Sequence, residues 1–352
     1  MVRIQTAPRS RNSEDQADGR EMLARTRALV APALREAVAG LRPEMERVVG
    51  YHLGTHDRHG APANGDGGKA FRPALALLAC QAVHGDPSRA LPAAVAVELA
   101  HNASLIHDDI IDGDRTRRGR PAVWSTFGIP TAILAGDALF FMAVQVLAES
   151  PSLAGQGVAI LTTAVQRLIE GEHTDLLLES RTGAVLADAQ ETAAAKTAAL
   201  IAASCALGAI AGGANADQVE RLHGFGRHLG AAFQLMDDLQ GIWGDPAVTG
   251  KPSSDLASGK KSLPVAFALA GDGRPSAELA ALYESDRALC PDELARVADL
   301  VEAAGGRAWA AGEAERHIRQ AQSLLENAAC DPDAAAHLAA LGSLITTMGR
   351  HN

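Results

Sequence analysis

The sequence predicts an all-α chain. Ala, Leu, Val and Ile recur at intervals of three and four over most of the 352 residues, and no run of any length alternates apolar with polar residues as a strand does. Only 3% of the residues are aromatic while 34 are glycine, so the helices must pack closely on small side chains rather than on rings. An apolar fraction of 47% at this length suffices for a substantial core.

Residues 1–19 are polar and mixed in charge, lack the apolar core of a signal peptide, and read as a disordered tail; residues 20–352 read as one folded domain. From Arg20 to about Leu53 the pattern is helical with a break at Pro43, and a glycine-rich connection runs from His56 to Gly68. Lys69 and Arg72 open the next helix, where backbone N–H groups and the positive end of the dipole favour an anion. No GxxxxGK[ST] run is present, which argues against a nucleoside triphosphatase. A central helix is expected from about Pro92 to Asp112, and a turn over Gly119 to Trp124. A further helix from Ile129 carries the bulky cluster Phe140, Phe141 and Met142.

Gln166 to Leu178 contains Glu170, Glu172, His173 and Asp175. Ala193 to Gly213 is a small-residue helix whose Lys196, if buried, needs an anion. Asp217 to Ile242 is a second acidic helix. The segment Gly244 to Gly259, with two prolines and two serines, is long enough to act as a lid. Beyond Pro264 the chain returns to helices with no constellation that carries chemistry.

A net charge of −10 argues against nucleic acid or an anionic membrane as a general partner. No uninterrupted apolar run reaches the length of a membrane span, since Ala90 to Ala100 is broken by Pro92 and Glu98. Cys80, Cys205, Cys290 and Cys330 are far apart with no metal-ligand spacing. Free thiols and a reducing, cytoplasmic setting are expected.

Chemistry concentrates in Glu98 to Arg118. Asp108 and Asp112 are four apart and Asp109 is three from Asp112, so a helix gathers the three carboxylates on roughly one side. They sit late in a helical run, at the end where the dipole disfavours negative charge. Arg117 and Arg118 follow at once. Carboxylates holding a hard divalent cation against phosphates, with arginines gripping the same phosphates, account for both facts. A second acidic pair, Asp237 and Asp238, lies late in another helix with Gln234 three residues before it, and Lys251, Lys260 and Lys261 follow. Two such helix ends suggest one site between facing helices. His101, seven residues before Asp108, shares the acidic face, whereas His107 is rotated off it and reads as structural.

From about Gly67 to Pro264 the motifs, in order, resemble those of the trans-isoprenyl diphosphate synthases of the polyprenyl synthetase family. Gly67-Gly-Lys-Ala-Phe-Arg-Pro73 resembles GGKxxRP, Asp108-Asp-Ile-Ile-Asp112 the first aspartate-rich motif, and Arg117-Arg118 the arginine pair. Lys196-Thr-Ala198 resembles KT(A/G). Phe233-Gln234 with Asp237-Asp238 resembles the second aspartate-rich motif, and Thr249-Gly-Lys251 with Gly259-Lys260 the closing lysines.

The resemblance implies an isoprenoid synthase-type helical bundle around a central cavity, a cytoplasmic homodimer, and head-to-tail transfer of an allylic prenyl diphosphate onto isopentenyl diphosphate. It implies that Asp108, Asp109, Asp112, Asp237 and Asp238 hold Mg2+, about three ions, on the leaving diphosphate. Arg117, Lys196, Gln234, Lys251 and Lys260 would serve the same allylic group. Lys69, Arg72, His101 and Arg118 would hold isopentenyl diphosphate. Two departures stand out: Gly241 replaces the third aspartate of the second motif, with Asp245 as a substitute, and Glu172 replaces a glutamine. Ala103 and Ser104, five and four residues before Asp108, are small, so the tail pocket should run on to a floor at Phe140, Phe141 or Met142, which favours geranylgeranyl diphosphate and leaves farnesyl and longer products open. A class I terpene cyclase would carry an Asn/Ser/Glu triad that is absent here, and a non-catalytic regulatory subunit would have lost more of the aspartates.

Overall fold

The computed structural model describes residues 11–63, 65, 68–180, 186–244, 254–257, 259–284, 289–328 and 331–348. Gly67, Asp245, Lys251, Cys330 and most of the expected lid lie outside these. The chain is helical: α1 Arg11–Ala39, α2 Pro43–Leu53, α3 Phe71–Ala82, α4 Leu91–Ile111, α5 Val123–Phe127, α6 Ile129–Ala148, α7 Gln156–Ser180, α8 Leu186–Ala193, α9 Ala199–Gly212 and α10 Ala216–Trp243. Shorter helices follow, α11 Ser254–Ala257, α12 Leu263–Leu269, α13 Arg274–Tyr283 and α14 Pro291–Ala303. Two long ones, α15 Gly306–Ala328 and α16 Pro332–Met348, close the fold.

The boundaries follow local chemistry. Pro43 and Pro92 fall in the first turns of α2 and α4, where a missing N–H costs nothing. Gly54 and Gly213 end α2 and α9 in the left-handed conformation. Asn215 caps α10 in a reciprocal box with Gln218. Residues 11–19, expected as tail, are helical: α1 begins at Arg11 and runs unbroken into the amphipathic stretch. Its Gly19 lies so close to α16 that a Cβ there would stand 2.4 Å from Leu344. Composition described the polarity of this stretch but not the surface on which it docks.

Two large cores flank a shared wall of α3 and α9. One gathers α2, α4, α6 and α7, with Leu99, Ile106, Leu139 and Leu161 fully buried; the other gathers α10, α15 and α16 around Leu222, Phe225 and Leu338. The wall is thin because its residues are small. A Cβ on Gly208 of α9 would lie 2.0 Å from the Ala76 carbonyl oxygen of α3, and one on Gly230 of α10 would lie 2.5 Å from Ala198. Backbone meets backbone there, as expected of a ring-poor chain.

Two departures from the sequence reading bear on the site. Thr116–Arg117 and Arg120–Pro121 form a two-residue antiparallel ribbon, closed by Arg118 and Gly119 with φ of 52° and 71°. Between α8 and α9 the helix widens into one π turn, Ala194–Ala198, which carries Lys196. Two stretches, Ile129–Ala148 and Leu186–Gly212, are long and apolar enough to cross a membrane by length and composition, which the broken Ala-rich runs did not suggest. The second is mostly buried in the fold, while the first keeps an exposed apolar face.

Candidate active site

A cavity of about 260 Å³ opens between α4, α7, the π turn, α10 and the segment Lys260–Leu263. Helix α4 contributes His101, Ser104, Leu105 and Asp108, and α7 contributes Leu168 and Asp175. Lys196 and Asp237 reach the same space from the other walls. The two acidic helix ends therefore do face one cavity.

The three aspartates of α4 divide. Asp108 lines the cavity, Asp112 is the exposed C-cap, and Asp109 is fully buried and turned away, with Oδ1 accepting from Arg117 Nε at 2.8 Å. Adjacent helical residues point about 100° apart, and here that rotation sends Asp108 to the cavity and Asp109 to Arg117. The ribbon separates the arginines in the same way. Arg117 closes on Asp109, while Arg118, in the left-handed turn, reaches back to Asn102 Oδ1 at 3.4 Å. Arg117 thus neutralises a buried carboxylate and does not line the cavity.

Lys196 is half-buried and lies 2.6 Å from Glu172 and 3.0 Å from Asp175. Burial opposes its charge, but Asp175 and Glu172 outweigh burial and raise its pKa. Glu172, the departure from glutamine, is thus spent on this lysine. Burial pushes Asp108 up to about 7, with Glu172 adding to the shift, and burial likewise pushes Asp238 up to about 7. Asp175, which spacing alone did not single out, belongs to the cavity as firmly as Asp108.

A separate cationic end lies at the base of α3 and α4. Arg72 is half-buried, with its Nε buried and unpaired, and burial lowers its pKa to about 10 against the pull of Glu98. Burial, then Arg72 and Arg118, hold His101 well below the usual imidazole range, so its ring is neutral near pH 7. A buried network that the sequence did not reveal holds this end in place. Asn102 Nδ2 donates to the Glu98 backbone oxygen at 2.8 Å and to Glu98 Oε1 at 3.1 Å. His52 Nε2 donates to Asn102 Oδ1 at 3.1 Å. Glu98 was legible as a charge in an apolar helix; His52 carried no signal. Lys69 is exposed beside Ala70, which takes a left-handed φ of 52° at the N-cap of α3.

On α10, Asp237 is exposed at the cavity and Asp238 is buried beneath it. Asp238 accepts from Gln234 Nε2 at 2.7 Å and from the Leu263 N–H at 2.8 Å, while Gln234 Oε1 accepts from Thr197 at 2.6 Å. Both ends of the Gln234 amide are engaged, so it positions Asp238. Lys260 and Lys261 border the cavity, and Lys261 donates to the Leu178 carbonyl at 2.7 Å.

The expected tail pocket needs correction. Ser104 lines the cavity, but Ala103 is fully buried in the core shared by α4 and α6. Phe141 is 78% exposed. It lies two residues, about 200° around the helix, from buried Leu139, which faces α4. Phe140 packs against the His107 ring at 5.9 Å, and Met142 only borders the core. None of the three lines the cavity, whose apolar walls on α4 and α7 are Leu105, Leu168 and Leu178. His107 is structural, as read: its Nε2 lies 3.1 Å from the Ile133 carbonyl oxygen, beside Gly136, where a Cβ would collide with the ring.

The donor set suits a hard cation: carboxylate oxygens on opposite walls, two of them pushed up to about 7 by burial. Among the described residues no three acidic, histidine or cysteine side chains converge to hold a metal unaided.

Residues 62–301 match the family described as Polyprenyl synthetase. A (2E,6E)-farnesyl diphosphate synthase of Mycobacterium bovis is 47% identical over 298 residues, covering 83% of each chain. A geranylgeranyl diphosphate synthase of Mycobacterium tuberculosis is 42% identical over 330 residues, covering 93% of each. The crystal structure of a polyprenyl synthetase from Streptomyces coelicolor A3(2) superposes with a TM-score of 0.88 at 43% identity, over 92% of this chain and 98% of that one.

The raised carboxyl of Asp108 has a measurable consequence. With its folded pKa above its unfolded value of about 4, the native state holds the extra proton between roughly pH 4 and 7, so this group's contribution to stability falls as pH rises through that window. The buried neutral histidines pull the opposite way, so the informative quantity is a difference. In a chelator, Asp108→Asn should gain a few degrees of melting temperature over the parent as pH rises from 5 to 8. With magnesium and inorganic diphosphate the order should reverse at pH 8. A difference that stays flat with pH would contradict the assignment.

Proposed function

Because the chain belongs to the polyprenyl synthetase family of trans-prenyltransferases, we propose that it condenses isopentenyl diphosphate head-to-tail with an allylic diphosphate and releases geranylgeranyl diphosphate. The observation that carries this reading is one cavity with two chemically different ends: facing carboxylates with Lys196 at one, and Arg72 with His101 at the other. The family is generally magnesium-dependent. Asp108, Asp112 and Asp237 would hold the ions, about three of them, with Asp175 beside them; bound magnesium supplies positive charge to a departing diphosphate.

The chain's own groups divide the rest. Lys196, already charged and held by Glu172 and Asp175, exchanges part of that pairing for the allylic diphosphate, and Lys260 adds charge. Asp109 and Asp238 hold Arg117 and Leu263 in place, so the acidic walls keep their spacing. Isopentenyl diphosphate takes Arg72, Arg118 and the neutral ring of His101 as donors, with Lys69 at the mouth. This end needs no metal because the cations are built in. The apolar lining excludes water from the cation that forms when the allylic bond opens.

The exposed apolar side chains of α6 and α7, among them Ile133, Leu134, Phe141 and Leu177, form the face we assign to a homodimer. Light scattering should give twice the 36.4 kDa chain mass, and Phe141→Asp should reduce it toward one. A parent chain that scatters as a monomer would refute the assignment. The proposed setting is the cytoplasm, in keeping with the buried free thiols of Cys80 and Cys205.

Product analysis by mass tests the activity. From isopentenyl diphosphate and each allylic primer the parent should yield geranylgeranyl diphosphate. Asp108→Ala or Asp237→Ala should lower turnover by at least about a thousandfold with the fold intact. Near-normal rates in either variant at saturating magnesium would refute the site.

In this reading Ser104 and Leu168, which line the same cavity, control product length. Ser104→Phe should shorten the product to farnesyl diphosphate, the product named for the mycobacterial relative, and Leu168→Ala should lengthen it. Unchanged lengths in both variants would mean that the tail leaves by another path.

A further inference from the structure

A second cavity, of about 330 Å³, lies between α8, the π turn, α10 and α15, and shares Ala193 and Leu263 with the catalytic one. One side is apolar: Trp309, Leu235, Leu263 and the alanines of the π turn. Trp309 is held by stacking on Phe267, with ring centroids 4.7 Å apart and planes at 10°. The other side carries Arg227, His228, Glu313, Arg316 and His317. None of the residues on this polar side takes part in the prenyl transfer described above.

The protons on this polar side can be placed by elimination. Arg316 is spent on Glu313, with Nε donating to Oε2 at 3.0 Å, and on Gln320 at 2.9 Å. Its Nη2 also lies 3.2 Å from His317 Nε2. A guanidinium can only donate, so His317 Nε2 accepts, and the neutral ring keeps its proton on Nδ1. That Nδ1 is 2.8 Å from Nδ1 of His228, which must therefore accept. His228 is left with its N–H on Nε2, on a side chain that lines the cavity. Burial keeps both rings neutral; it lowers His317 to about 4, with Arg316 assisting, and lowers His228 in the same direction. Arg227, next in the chain and exposed, pairs with no carboxylate among the described residues. With Glu313 consumed by Arg316, this side offers one cation and one oriented N–H donor. A metal does not fit, since the two imidazoles are bonded to each other and no third ligand joins them.

We propose that this cavity is a second binding site, for a small amphiphilic anion with a phosphate-type head on Arg227 and His228 and a short apolar body against Trp309 and the π turn. Its walls are also the supports of the allylic site: the π turn carries Lys196, and the N–H of Leu263 holds Asp238. A ligand there bears on both, so occupancy alters affinity for the allylic diphosphate. This coupling rests on the prenyl-transfer reading; the binding does not.

Octyl phosphate is a suitable probe, and Trp309 reports its arrival. Titrated into the full chain in a chelator, it should give a saturable change in tryptophan emission that disappears in Trp309→Phe. Ala231→Phe, which fills the cavity, and His228→Leu, which removes the donor, should each weaken binding by about tenfold or more. Octanol and inorganic phosphate, at the same concentration, should give no saturable change. With magnesium present, octyl phosphate should shift KM for the allylic substrate in the parent and not in Ala231→Phe. Absence of saturable binding would overturn the site, as would equal binding by both cavity variants with circular dichroism showing them folded. A KM shift that persists in Ala231→Phe would place the ligand in the catalytic cavity and overturn the coupling.

Discussion

Negative charge buried without enough positive charge is the constraint from which the rest of this molecule follows. Asp108 and Asp238 sit in walls that solvate a carboxylate poorly, and burial pushes both up to about 7. A buried carboxylate persists only with a partner. Some of the acids have one within the chain: Asp109 is matched by Arg117, and Glu172 and Asp175 by Lys196. Asp108 has only distant help, and under the proposed function that shortage suits the site to divalent cations arriving with a diphosphate. A fully paired site would be more stable and would have no affinity to offer.

The all-α architecture makes the arrangement possible by keeping the walls close and stiff. Helices α3, α9 and α10 meet through Gly208 and Gly230 with almost no side chain between them, so the π turn carrying Lys196 is held against α10. The short ribbon between α4 and α5 sends one arginine to Asp109 and the next to Asn102, which separates the acidic end of the cavity from the cationic one. Gly68 permits the same closeness at the cationic end, where a Cβ would stand 2.9 Å from the Arg118 guanidinium.

Much of the site was legible because its chemistry violates ordinary helix composition. Carboxylates at the wrong end of a helix, a lysine among alanines and a Gly-Gly-Lys entering a helix are unusual in combination, and Asp108, Lys196 and Arg72 line one cavity. Spacing could not resolve what depends on rotation. It grouped Asp109 with Asp108 although they face different partners, and it offered Phe141 as a pocket floor although that ring faces outward. Pairing across the fold was beyond it as well. The dependence of Asn102 on His52, and of Asp238 on Leu263, joins residues 50 and 25 apart in the chain. The start of α1 was misread for a related reason: its docking surface, α16, lies at the far end of the sequence.

The central claim is that the two diphosphate ends differ in where their positive charge comes from: fixed side chains at one, imported magnesium at the other. Calorimetric titration of the full chain with isopentenyl diphosphate, and separately with an unreactive allylic thiodiphosphate, each in chelator and in magnesium, tests it most directly. Isopentenyl diphosphate should bind within about threefold equally in both conditions, whereas the allylic analogue should lose at least about a hundredfold of affinity in chelator. Equal dependence of the two ligands on magnesium would contradict the division and, with it, the assignment of Arg72 and His101 to a metal-free end.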